Sequence, residues 1–76
     1  MNKPRRKWLA EIAEKLEEIK NEIEEVRDEE QEYLDNMPEN LQGSERYEKA
    51  ENAVSCLDYA MDSVQEAIDN LEEAQE

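Results

Sequence analysis

Apolar residues recur along the first half of the chain at Leu9, Ile12, Leu16, Ile19, Ile23 and Val26, and the same phase continues through Glu30, Tyr33 and Met37. The steps alternate 3 and 4 without a slip. The second half repeats the alternation at Tyr47, Ala50, Val54, Leu57, Met61, Val64, Ile68 and Leu71. Alternating steps of 3 and 4 place one residue per turn on a single stripe of an α-helix, the signature of a heptad-type helix–helix seam. The pattern predicts a first helix over about 3–35 and a second over about 44–74. Asn2 and Ser44 are suited to cap their N-termini, and Pro4 is tolerated in a first turn. Glu45 opens the second helix, where the helix dipole favours an anion.

Residues 36–43 (NMPENLQG) break the pattern. Pro38 disfavours helical backbone at Met37. Residues 38–41 suit one short helical turn, and Gly43 suits a positive φ. Two amphipathic helices joined by so short a loop are expected to fold back as an antiparallel hairpin. Symmetry about the loop sets Tyr33 against Tyr47, Glu30 against Ala50, Val26 against Val54 and Leu9 against Leu71. Leu34 and Leu41 lie off the seam and are expected to hold the loop down. Trp8 is expected at the open end, half exposed.

The expected fold class is therefore all-α: a two-helix hairpin of the coiled-coil type, as one domain over residues 1–76. A second stripe on helix two, Ala53, Cys56, Ala60, Ser63 and Ala67, continuing to Asn70 and Ala74, consists of small residues at the same spacing. It predicts close approach of another helix, most simply the same helix of a second copy. That gives a four-helix bundle or a higher homo-oligomer.

Composition narrows the function. The 76 residues hold 23 acidic against 9 basic side chains, a net charge of −14. Direct binding to duplex DNA is disfavoured, because that needs cations on phosphates. No apolar run is long enough to span a bilayer, so no membrane partner is expected. There is no His, and one Cys. The commonest general base and metal ligand are missing, so neither an enzyme nor a metal or other cofactor is expected. Paired carboxylates such as Glu14/Glu18, Glu25/Glu29 and Asp58/Asp62 read as solvated faces, and the loop lacks calcium-loop spacing. Four of the nine basic residues, Lys3, Arg5, Arg6 and Lys7, form a basic start. They either balance the acidic tail Glu72, Glu73 and Glu76 or touch phosphate.

The loop end is where the pattern turns polar. Glu30 holds a core-type position, and Tyr33 and Tyr47 stand beside it. One reading is a register device, with Arg46 or Lys49 neutralising Glu30. The other is a ligand site built from Arg46, Tyr47, Tyr33, Asn36, Asn40, Gln42 and Ser44. There the tyrosines stack on a base, Arg46 and the helix start at Ser44 hold a phosphate, and the amides read base edges.

The segment DEEQEYLDNMPENLQGSERYE, Asp28 to Glu48, resembles the central part of a family of small helical proteins of Gram-positive gut bacteria, their prophages and phages. The basic Met-Asn-Lys start and the Ala-rich second helix extend the likeness over nearly the whole chain. The resemblance implies a phage-linked accessory protein in the bacterial cytoplasm. By analogy with such accessory proteins it implies an antagonist of host immune defence. Three non-enzymatic functions fit. They are capture of a nucleotide-derived signal by an oligomer, acidic mimicry of DNA against a host defence protein, and a structural or adaptor coiled coil.

Overall fold

The computed structural model describes all residues, Met1–Glu76. Helix α1 runs Lys3–Asp35, a single 3-10 turn covers Glu39–Leu41, and helix α2 runs Glu45–Ala74. The two helices pack side by side as a hairpin, a rod of 59 × 14 × 12 Å.

The caps explain the helix starts. The Asn2 side chain accepts from the Arg5 N–H at 2.9 Å. The Ser44 hydroxyl oxygen accepts from the Tyr47 N–H at 3.3 Å. Between the helices the backbone closes on itself. Leu41 N–H donates to the Pro38 carbonyl at 2.9 Å, and Ser44 N–H donates to that of Leu41 at 3.0 Å. Gly43 has φ 83° and turns the chain into α2. Met37 is buried under this turn, with Leu34 beside it and Leu41 half-buried. No helix is long and apolar enough to cross a membrane.

The seam on α2 follows the apolar stripe: Ala50, Val54 and Ile68 are buried, and Tyr47, Leu57, Met61, Val64 and Leu71 are half-buried. On α1 it departs from the stripe. Leu16 and Ile23 are half-buried, but Val26 and Tyr33 are 54% and 47% exposed, more open than a place in the seam opposite Val54 and Tyr47 implies. Ile19 is likewise 44% exposed. Their places are taken by Ala13, Lys20, Arg27 and Leu34, also at steps of 7 residues. The reason is geometric. One neighbouring helix covers only part of a two-column stripe, and α1 turns so that one column and its flank meet α2. The stems of Lys20 and Arg27 then cover apolar surface while their charged heads reach polar partners.

Those partners are on α2. Arg27 Nε donates to Asp58 Oδ1 at 2.9 Å, and Lys20 Nζ donates to Gln65 Oε1. Arg27 also reaches Asp28 at 3.3 Å. Its pKa is raised above the ordinary arginine value, chiefly by the hydrogen bond to Asp58. Glu30, by contrast, has no ion pair; Lys49 pairs with Glu45 at 3.2 Å instead, and Arg46 pairs with no carboxylate. The neutralisation of Glu30 that a register device would use is thus not formed; Glu30 is only half-buried, where solvent screening leaves little to gain from an ion pair. Trp8 is more open than half, at 66%.

Candidate functional site

The last turn of α1 and the first of α2 bring Tyr33 and Arg46 side by side. The turn that achieves this is set locally. Asn36 closes α1 by donating its N–H to the Glu32 carbonyl at 3.0 Å, and Met37 donates to that of Leu34 at 3.2 Å. Pro38 cannot continue the helix. The chain then drops across Met37 and re-enters α2 one cap after Gly43.

Two open grooves of about 430 Å³ each adjoin here. Tyr33 and Arg46 line both. The first groove adds Asn36, with Met37 and Leu41 as an apolar floor and Glu29 and Glu32 on its rim. The second adds Glu30, Glu45 and Lys49. Of the seven residues expected to form a ligand site, three meet in one groove: Tyr33, Asn36 and Arg46. Asn40 and Gln42 are exposed on the loop but line neither groove. Tyr47 is half-buried in the hairpin seam, and the Ser44 hydroxyl is engaged as the cap. The capped start of α2 leaves the Glu45 and Arg46 N–H groups without an intrachain acceptor, directly beside the Arg46 side chain.

Glu29, Glu32, Leu41 and Lys49 belong to the grooves although the heptad pattern does not single them out, whereas Met37 is the last position of the first stripe. Glu29 and Glu32 precede Tyr33 by 4 and 1 residues, so helical spacing is the signal that puts Glu29 beside the tyrosine. Electrostatically the site is mixed. In the first groove two carboxylates face one guanidinium; in the second the cations and carboxylates are equal in number, and one pair is already joined.

On α2 the small-residue stripe is divided. Ala53 and Ala60 are half-buried, whereas Cys56, Ser63 and Ala67 are exposed. At the open end Lys3, Arg5, Arg6 and Lys7 are exposed and form no ion pair with Glu72, Glu73 or Glu76. A third groove there, about 320 Å³, is lined by Ala13, Ile68, Glu14, Glu17 and Glu72, with no basic side chain among its walls.

No protein-family model, curated protein or solved structure matches the chain.

Proposed function

We propose that the protein is a non-enzymatic binding protein that captures a small, nucleotide-type anion at its loop end and works as a homo-oligomer. The observation that carries this reading is the junction of Tyr33 and Arg46 in the wall of two adjoining grooves. A ring that is half exposed offers a stacking surface for a base. An arginine with no carboxylate partner, next to free N–H groups at a helix start, offers donors to a phosphate. Asn36 supplies an amide for a base edge. With the resemblance to phage-linked proteins, the reading becomes that of a phage-encoded antagonist that withdraws an immune signal in the bacterial cytoplasm.

The test is a thermal-shift and calorimetric screen of the purified chain against cyclic dinucleotides and ADP-ribose derivatives. Saturable binding and a ligand-dependent rise in Tm support capture. No binding by any member of the panel, with the protein folded, counts against it.

A second reading is favoured by one observation: only three carboxylates, those of Asp28, Glu45 and Asp58, are in ion pairs, out of 23 acidic residues. A surface so uncompensated suits an acidic DNA mimic that docks on a basic host protein. Binding of that kind weakens steeply with salt, and Arg46 has no part in it.

A further inference from the structure

The hairpin has two long edges of opposite character. One carries the polar cross-links Lys20–Gln65 and Arg27–Asp58, one heptad apart on both helices. Each of these four residues is preceded by an apolar one: Ile19 and Val64, Val26 and Leu57. One residue back along an α-helix is a rotation of about 100°. On antiparallel neighbours the two rotations carry both side chains to the same side, away from the polar edge. The opposite edge therefore presents Ile12, Ile19, Val26 and Tyr33 from α1, and Leu57, Val64 and Leu71 from α2. The exposure agrees: Ile19, Val26 and Tyr33 of the α1 column are open and Ile12 is half-buried, and the α2 column is half-buried.

We propose that a second copy of the chain covers this apolar edge, antiparallel to the first, with the two loops at opposite ends. Three observations select that occupant and that direction.

First, the single hairpin buries six residues and no side chain completely, too little core for a chain of 76 residues to stand on alone. The partner must be present wherever the chain is, and a second copy always is.

Second, the open column is self-complementary. Its members stand one heptad apart, at 12, 19, 26 and 33. A twofold axis between Ile19 and Val26 sets Ile19 against Val26 of the second copy, and Ile12 against Tyr33 of the second copy.

Third, the charges choose the direction. The open end carries Lys3, Arg5, Arg6 and Lys7, exposed and unpaired, against the carboxylates of Glu11, Glu66, Asp69, Glu72, Glu73 and Glu76. The loop end carries Asp28, Glu29, Glu30, Glu32, Asp35, Glu39, Glu45, Glu48 and Glu51, with Arg27, Arg46 and Lys49 to offset them, and so is the more acidic end. Opposed loops bring the cation-rich segment 3–7 of one copy to the more acidic end of the other. Aligned loops would stack like on like.

This pairing completes the loop-end site. Within one chain the first groove has more carboxylates than cations, which is poor for an anion. The basic segment and Trp8 of the second copy arrive at that end and change the balance. The pairing stands without the ligand; only this last consequence rests on the capture reading.

The experiment uses the full chain. Light scattering of the wild type at tens of micromolar should give the mass of an even number of chains. Val26→Glu, at a position open in the lone hairpin, should raise the dissociation constant by roughly 100-fold or more, because it buries an unpaired charge. On a Cys56→Ala background, the Ile19→Cys and Val26→Cys proteins are mixed and oxidised, and the mixed disulfide should dominate. A wild type with the mass of one chain overturns the proposal. So does an odd number of chains, or formation of only the 19–19 and 26–26 disulfides. Loss of assembly in Ala60→Glu but not in Val26→Glu also overturns it, since the small-residue stripe would then be the interface. None of these readouts involves a nucleotide, so a failed ligand screen leaves them unaffected.

Discussion

Arg27 and Asp58 join the two helices through a 2.9 Å hydrogen bond between Nε and Oδ1, beside rather than within the apolar seam. With Lys20 and Gln65 one heptad away, they define a polar edge and so, by rotation, an apolar edge opposite. The distinction matters for stability, since a residue's cost on truncation depends on which edge it occupies.

Ile68 is the most buried residue, at 3% exposure. Ile68→Ala should lower the unfolding free energy by about 2–5 kcal/mol, the range for a truncated core isoleucine. Urea denaturation followed by circular dichroism measures it. If the apolar edge is covered by a second copy, Ile19→Ala should approach the same loss; in a lone hairpin it should cost less than about 1 kcal/mol.

At the turn, Gly43→Ala should destabilise by about 1–2 kcal/mol. The added Cβ meets nothing within 4 Å, so the cost comes from the backbone at φ 83° and not from a clash. Ser44→Ala, which removes the cap on the Tyr47 N–H, should cost about 1 kcal/mol. Both are read from the midpoint of thermal unfolding.

Arg46→Ala is the direct probe of the loop-end site. Its side chain is exposed and unpaired, so the fold should be unchanged. Affinity for a bound nucleotide-type anion should fall by about 1.5–3 kcal/mol, or roughly tenfold to 150-fold. Tyr47→Ala is a poorer probe, because that ring is half-buried in the seam. Calorimetry that shows unchanged affinity in Arg46→Ala argues for a different site.

Cys56 is exposed on the outer face of α2. With the apolar edge as the interface, the native protein should react with a thiol reagent at the rate of a free cysteine, and Cys56→Ala should leave Tm and binding intact. Strong protection in the native state would instead mean that a helix covers the small-residue stripe.

Much of this architecture is legible in the sequence. The alternating steps mark both helices, Asn2 and Ser44 mark where they start, and Pro38 and Gly43 mark where the chain turns. The side of the stripe that α1 turns toward α2 is not legible. A heptad pattern specifies two columns of apolar residues but not how many helices share them. Arg27 and Lys20 read as surface residues by type, yet their long stems let them flank a seam. The candidate site is legible only in part. Tyr33, Asn36 and Arg46 are brought together, while Ser44 and Tyr47 are absorbed by a cap and a seam, demands that composition alone does not reveal.

The 59 Å length of the rod has a consequence for how charge changes combine. At physiological salt the Debye length is about 8 Å, so the poles of one chain are electrically insulated from each other. Neutralising Glu29 at one pole and Arg5 at the other should then change stability additively in an isolated hairpin. A measurable coupling between two substitutions so far apart would have to pass between molecules, and its size would be an electrostatic ruler for how closely opposite poles meet.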